Sequence, residues 1–254
     1  MSRYADPSGT NHLRRESISV NNIGGAAAAV DVTITISKTW DTFWTEINQT
    51  DGRDIRVVDP DGTITAYRLA TFNLSTRTCV IEVDGYVAPA GQMFQLFLYW
   101  NNTAASAQSS TFVGASMKTG YVNSCAPPGR IFVAGRERHR DTKPRNVVSK
   151  GADESVYLSV DFGGLLTRRS APYAGYRDCE EISYASYVVL QADSPVGALI
   201  DAAKLRIIGG RYVQVYLTAG TSGTEYTVVV TVVTNEGQTF VKRMWLAVQN
   251  VDEQ

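Results

Sequence analysis

The sequence has too few cysteines for a disulfide framework or a paired metal-ligand motif. Its three thiols, Cys79, Cys125 and Cys179, are widely spaced along 254 residues, so we expect them to be reduced and structural. Long apolar runs are missing as well, and none approaches the ~20 residues that a bilayer-spanning helix needs. The first residues contain no apolar stretch, which predicts no signal peptide. We therefore expect no membrane partner.

Charge and histidine are also scarce. Charged residues make up 19% of the chain and the formal net charge is −1, whereas an average soluble domain is roughly 25% charged. Because binding to phosphates requires a cationic surplus, this balance predicts no nucleic-acid partner. The two histidines, His12 and His139, lie in no strand–turn–helix context, and no nucleophile, metalloprotease or nucleotide-binding fingerprint occurs. We expect no enzyme, no metal site and no cofactor.

Two acidic clusters have a structural explanation, so neither of them predicts a catalytic or metal site. We interpret the group Asp178, Glu180 and Glu181 as a solvated loop. The segment Asp59-Pro60-Asp61-Gly62 begins like a calcium loop, but it lacks the remaining oxygen ligands and the closing Glu of that motif. Proline at its second position instead predicts a β-turn that connects two strands.

The first half of the chain contains the alternating pattern of half-buried strands. Every second residue from Val30 to Ile36 is apolar and the residues between are polar. Apolar residues then recur at helical spacing over 40–47, which predicts one short helix capped by Thr39. The strand at 94–100 has apolar residues on both faces, so we expect both to be covered. Strands with one short helix indicate a β-sandwich over residues 23–112. Three tryptophans are expected in its core: Trp40, Trp44 and Trp100.

The second half, residues 151–254, is rich in short alternating strands separated by turns. Turns are predicted at Gly209-Gly210 and at Asn235-Glu236-Gly237. This spacing indicates an immunoglobulin-like β-sandwich, although the Cys–Trp–Cys core signature is missing. The predicted strands cover residues 156–162, 184–190, 205–208, 212–217, 224–234 and 239–248.

Two polar segments lie outside these sandwiches. Residues 1–22 lack any period and are interpreted as an extended N-terminal arm, with a disordered tail as the alternative. Residues 113–150 contain a charged, proline-containing stretch and are interpreted as a basic connector, in which residues 131–133 could add a strand to either neighbouring sandwich. We expect the arm and residues 127–150 to form the interface with partners. The candidate partner-binding cations are Arg14, Arg15, Arg136, Arg138, Arg140, Lys143 and Arg145.

Tyrosine is abundant, with thirteen in the chain. Tyr173 and Tyr176, like Tyr184 and Tyr187, lie in or beside a glycine- and proline-containing segment, so some of them should be exposed. Exposed tyrosines favour protein or sugar contacts, because they add contact area at little entropic cost. Tyr173 and Tyr176 therefore join the candidate partner-binding residues.

Four segments between residues 40 and 102 occur in a specific order and spacing. They read WDTFW, DGRDIRV, DPDG and FLYWNN and begin at Trp40, Asp51, Asp59 and Phe97. In this order they resemble an uncharacterised β-sandwich module that recurs in microbial surface proteins and phage structural proteins. The glycine that usually follows the last aromatic is Asn101 here. The module has no established catalytic residues, so the resemblance implies a fold and no site residue.

Three segments of residues 153–248 also resemble a known family. They are DESVYLSVDF from Asp153, TAGTSGTEYTV from Thr218, and the hairpin through Thr234 to Gly237. Together they resemble the bacteriophage fibre–tail adaptor family. In that family Asp-Trp follows the first strand, whereas this chain has Asp161-Phe162.

The two resemblances imply a virion structural protein that is made in the host cytoplasm and located at the tail or neck. Its partners would be other virion proteins: a portal, adaptor or tail-tube protein on one side, and a tail fibre or spike on the other. Within a ring assembly the chain would be a homo-oligomer. Two alternatives stay open, a capsid decoration protein and a carbohydrate-binding surface module.

Overall fold

The computed structural model describes residues 12–106, 117–123, 130–133, 147–166, 180–197 and 199–249. The chain divides into two compact units, the first holding described residues 12–106 and 117–123 and the second the rest. Strands dominate both units, and their packing is sandwich-like, so the predicted all-β fold class is confirmed. The described residues form one α-helix and one short 3₁₀ helix, and neither is long and apolar enough to span a membrane.

The first unit is built on a mixed sheet. Its strands follow the order β4-β5-β2-β7-β1-β6, and β3 pairs with β6. Every pair is antiparallel except the parallel pair β2–β7. The strands are β1 (Arg14–Asn21), β2 (Ala28–Ile36), β3 (Arg56–Val58), β4 (Tyr67–Asn73), β5 (Thr78–Ala88), β6 (Met93–Trp100) and β7 (Met117–Asn123).

Burial in this sheet follows the alternation in the sequence. The apolar residues of β2 from Val30 to Ile36 are buried and the polar residues between them are not, as predicted. All eight residues of β6 are buried, which confirms that both of its faces are covered. Packing is tight beside Gly120, where a Cβ atom would lie 2.8 Å from Ile34 Cγ1 and 3.0 Å from Ile18 Cγ2. A side chain at position 120 would therefore displace the core.

The predicted N-terminal arm is wrong for its described part. Residues 14–21 form β1, a strand inside the first sheet, paired with β6 on one side and β7 on the other. Its two apolar side chains, Ile18 and Val20, are fully buried. Two apolar residues are too few to show a period, so the sequence does not indicate this strand, although it supplies part of the core. Deleting residues 1–22 would remove it and unfold the first unit.

The predicted short helix is present as α1 (Asp41–Glu46), with Phe43 and Trp44 buried. Thr39 is not its cap: Trp40 occupies that position, and no side chain hydrogen-bonds to the first turn. Instead, the Thr39 amide and hydroxyl contact the Ser37 hydroxyl. The helix packs through aromatic rings, since Trp40 stacks on Phe43 and meets Trp100 edge to face. Trp44 and Trp100 are buried as expected, whereas Trp40 is half-buried.

The second unit contains two sheets. One follows the order β11-β15-β16-β9, with β12 paired to the end of β11, and the other follows β13-β14-β10-β8. A 3₁₀ helix at Ala202–Lys204 precedes β13. The strands are β8 (Arg130–Val133), β9 (Val147–Gly151), β10 (Val156–Asp161), β11 (Ile182–Gln191), β12 (Ser194–Pro195), β13 (Arg206–Ile208), β14 (Tyr212–Leu217), β15 (Glu225–Thr234) and β16 (Thr239–Gln249).

The core of the second unit is formed by valines and leucines that alternate along its strands. Leu158 and Val160 of β10 and Val213 and Val215 of β14 are buried, as are Val228, Val230 and Val232 of β15. Both predicted turns are confirmed by positive φ angles, at Gly209 and Gly210 (+59° and +67°) and at Gly237 (+74°).

The predicted basic connector, residues 113–150, is wrong at 117–123 and at 147–150, whereas the possible strand at 131–133 is confirmed. Residues 117–123 are β7 of the first sheet, 130–133 are β8, and 147–150 belong to β9. β8 and β9 each join a sheet by parallel pairing, to β10 and β16 respectively. Parallel neighbours are joined through long connections, so a strand that is isolated in the sequence gives little local warning of its partner. The charged stretch within 134–146 lies outside the described residues.

Cys79 on β5 is a free, buried thiol, and burial raises its pKa to about 12. Because the thiolate is the reactive form, we expect no alkylation of Cys79 in the native protein at pH 8 and complete alkylation after denaturation. Mass spectrometry of the peptide that contains Cys79 measures this separately from Cys125 and Cys179, which lie outside the described residues. Labelling of Cys79 at the rate of a free thiol under native conditions would contradict it.

Candidate functional site

The charged residues of the DGRDIRV segment are used inside the first unit. Arg56 is fully buried, and its Nη1 donates to the carbonyls of Arg53 and Ile55, each at 2.7 Å. Its Nη2 donates to the carbonyl of Ser106 at 2.7 Å. Asp54 is also fully buried and accepts a hydrogen bond from the Asn48 amide at 2.9 Å, while burial raises its pKa. These hydrogen bonds connect the segments around residues 48, 53–56 and 106. The buried charged residues of the motif therefore have a structural role.

The DPDG segment forms the predicted turn. The Gly62 amide donates to the Asp59 carbonyl at 3.1 Å, and the Thr63 amide donates to Asp59 Oδ1 at 2.8 Å. Gly62 has φ of +86°, a conformation that favours glycine. The carboxylate of Asp59 thus stabilises its own turn. Among the described residues, no group of three or more His, Cys, Asp or Glu side chains is placed to hold a metal ion.

The acidic cluster near residue 180 is not a solvated loop, so that interpretation is wrong for its two described members. Glu180 and Glu181 are buried. The Thr234 hydroxyl donates to Glu180 Oε1 at 2.6 Å, and the Glu181 amide donates to Asn235 Oδ1 at 2.9 Å. The pair holds the start of β11 against the β15–β16 turn. Asp178 lies outside the described residues.

Two of the predicted partner-binding residues lie on β1. Arg14 forms a bidentate ion pair with Glu46 of α1. The guanidinium of Arg15 lies over the Phe97 ring, 3.6 Å from its centroid. Both side chains therefore make contacts within their own unit, and the structure does not bring them together with the others. Arg136, Arg138, Arg140, Lys143, Arg145, Tyr173 and Tyr176 lie outside the described residues.

The outer side of the β11–β15–β16 sheet presents a surface that no single residue type marks in the sequence. The strand register aligns four rows of three residues, one from each strand in turn, and we call this surface the valine face. The residues that pack between the two sheets, such as Val228 and Val230, alternate with those of the valine face along β15. Its rows are Leu190–Thr227–Trp245, Val188–Val229–Arg243, Ser186–Thr231–Val241 and Tyr184–Val233–Thr239.

The valine face is apolar and accessible. Val241 is 55% exposed and Val188 is 38% exposed, whereas Val229 is buried. Arg243 is the only charged residue of the twelve. With four rows about 6.7 Å apart and three strands about 4.8 Å apart, the face covers roughly 380 Å² in projection. Apolar patches of this size on a soluble domain are often interaction sites.

The sequence of β15 contains a pattern that indicates this face. β15 reads EYTVVVTVVT, so β-branched residues occupy both of its sides, whereas a strand with one solvated side alternates with polar residues. The pattern indicates that both sides of β15 carry apolar residues. It does not show which side is packed in the protein and which is left accessible. Tyr184 belongs to the valine face, and Tyr187 lies opposite Val230 on the packed side.

Comparisons with known proteins do not assign a family. The sequence matches no protein-family model and no curated protein. One similar solved structure is described as "Anomalous substructure of Titin-A168169". It is 10% identical, the match covers 92% of this chain and 100% of that chain, and the TM-score is 0.23. At that score the similarity carries no structural argument.

Proposed function

We propose that this protein is a non-enzymatic structural component of a bacteriophage virion, an adaptor that links the tail or neck to tail fibres or spikes. The resemblance of residues 40–102 and 153–248 to phage structural modules supports this proposal. The observation that carries it is the valine face, because a rigid sheet with an exposed apolar surface is suited to permanent attachment to another protein.

The composition of the valine face favours a protein partner. Cores of protein interfaces are depleted in charged residues and enriched in tyrosine, tryptophan and arginine. The face carries Tyr184, Trp245 and Arg243 around its valines and threonines, with no acidic residue. Its projected area of roughly 380 Å² is about half of the ~800 Å² that each partner contributes to a standard interface. A second contact surface is therefore needed, as for a subunit in a ring that touches two neighbours.

The first test counts this chain against the major shell protein in purified source particles by quantitative mass spectrometry. A closed ring at the tail requires roughly six or twelve copies per particle. Hundreds of copies would overturn the adaptor proposal in favour of a capsid decoration protein. Absence from particles would overturn both virion proposals.

The second test addresses the valine face itself. We expect Val241→Asp to reduce incorporation into particles by about tenfold or more, since a carboxylate would be buried without a partner. Val87→Asp is the matched control, because Val87 is also a strand valine and is 73% exposed, but it lies on the first unit. Circular dichroism checks that both variants fold. Normal incorporation of folded Val241→Asp would rule out this face as the docking surface.

A further inference from the structure

The other sheet of the second unit carries an exposed pair of tyrosines on its outer side. Tyr157 of β10 lies directly opposite Tyr216 of β14. Their ring centroids are 4.5 Å apart and the rings are tilted by 49°, so the pair forms a shallow V. Tyr157 is 37% exposed. Among the described residues, neither phenol hydroxyl forms a hydrogen bond.

Charged groups of opposite sign lie next to this pair. Lys204 Nζ lies 3.8 Å from the centroid of the Tyr216 ring and 3.7 Å from Asp201 Oδ2. Asp201 is held in place because its Oδ1 accepts a hydrogen bond from the Ala203 amide at 3.0 Å. Arg206 fixes the same turn, since its Nη1 donates to the carbonyls of Ala203 and Leu205. The rings and the polar groups beside them are therefore preorganised, which lowers the entropic cost of binding.

We propose that Tyr157, Tyr216, Lys204 and Asp201 form a binding site for a neutral saccharide. The face of an aromatic ring is electron-rich and attracts the polarised C–H groups on one side of a pyranose ring. The two phenols, the ammonium group and the carboxylate then supply donors and acceptors for sugar hydroxyls. Because Lys204 and Asp201 balance each other, the site favours a ligand without net charge. The site is independent of the adaptor proposal, since none of its four residues belongs to the valine face.

The contrast with the valine face explains why a sugar is favoured over a protein here. The valine face is broader and carries a single charged residue among its valines and threonines, and depletion of charge is typical of a protein interface core. The tyrosine pair offers a small aromatic surface surrounded by polar groups. A saccharide needs both within a few ångströms, because each of its rings presents C–H groups and hydroxyls together.

The test is a glycan array probed with the full-length protein, followed by titration of the strongest neutral oligosaccharide by calorimetry. We expect Tyr157→Ala to weaken binding about tenfold or more and Asp201→Asn to weaken it severalfold. Tyr157→Phe keeps the ring and should retain most of the affinity. Val87→Asp is the control, because Val87 is an exposed strand valine of the first unit and belongs to neither proposed surface. Unchanged thermal unfolding midpoints show that these surface variants are folded.

Three outcomes would overturn the proposal. They are no binding to any glycan, binding that Tyr157→Ala leaves unchanged, and a preference for anionic glycans that is lost in Lys204→Gln but kept in Asp201→Asn. Failure here would leave particle incorporation unaffected. The saccharide site and the adaptor function can therefore fail separately.

Discussion

Replacing Arg56 by methionine is expected to lower the free energy of unfolding of the first unit by about 3 kcal/mol. Methionine matches much of the volume of the arginine stem but donates no hydrogen bond. The carbonyls of Arg53 and Ser106 would lose their partner, whereas that of Ile55 would keep the hydrogen bond from the Tyr67 hydroxyl. The loss is large because Arg56 is 0% exposed, so water cannot simply replace the guanidinium.

Arg53, in the same motif, provides the matched control. Its side chain is 47% exposed and it pairs with Asp51, which is 51% exposed. Because exposed ion pairs contribute little, Arg53→Met should cost less than about 1 kcal/mol. Urea unfolding followed by tryptophan fluorescence measures both variants, since three of the four tryptophans lie in residues 12–106. Equal losses in the two variants would show that Arg56 has no special structural role.

Stability of the first unit is expected to fall between pH 4.5 and about 7 because of Glu16 on β1. Burial raises the pKa of this carboxyl from 4.5 to about 7, against smaller opposing effects of the Ser17 amide and Arg15. The folded protein thus binds the Glu16 proton more tightly than the unfolded chain does. Its contribution is fully present below pH 4.5 and is lost as the pH rises through about 7.

Glu16→Gln removes this dependence, because the amide is neutral at every pH. At pH 8 we expect the variant to be more stable than the wild type by about 2–3 kcal/mol, and at pH 4 the two should be equal within about 0.5 kcal/mol. The measurement is the free energy of unfolding in urea at both pH values. The pH 4 comparison is the internal control, because it reports any packing change that glutamine introduces. A difference that does not depend on pH would contradict the prediction.

The elements that could be predicted from the sequence are those whose pattern is complete within a few residues. The alternation of β2, the helical spacing of α1 and the glycine turns between β13 and β14 and between β15 and β16 are all local. β1 was missed because Ser17 and Ser19 are buried although they are polar. Their burial depends on β6 and β7, which lie about 80 and 100 residues away in sequence.

For the candidate site, too, the sequence indicates some features and only strand pairing decides the others. Apolar residues on both sides of β15 indicate that each side is covered or used, but register decides which residues share a side. Val188, Val229 and Arg243 come from three strands and become neighbours only through pairing. Tyr157 and Tyr216 are 59 positions apart and meet for the same reason. Tyrosines that are close together in the sequence predict Tyr173 and Tyr176 as partner-binding residues, and they give no indication of this pair.

By itself the sequence determined the fold class, because period-2 alternation and turn residues dictate strands through local sterics and burial. The tertiary structure alone decided what each charged residue does. Arg53 and Arg56 are three positions apart, yet one is solvated and the other donates to three carbonyls. Burial is set by the whole fold, and the free energy of a charge depends on its burial more than on its neighbours in sequence.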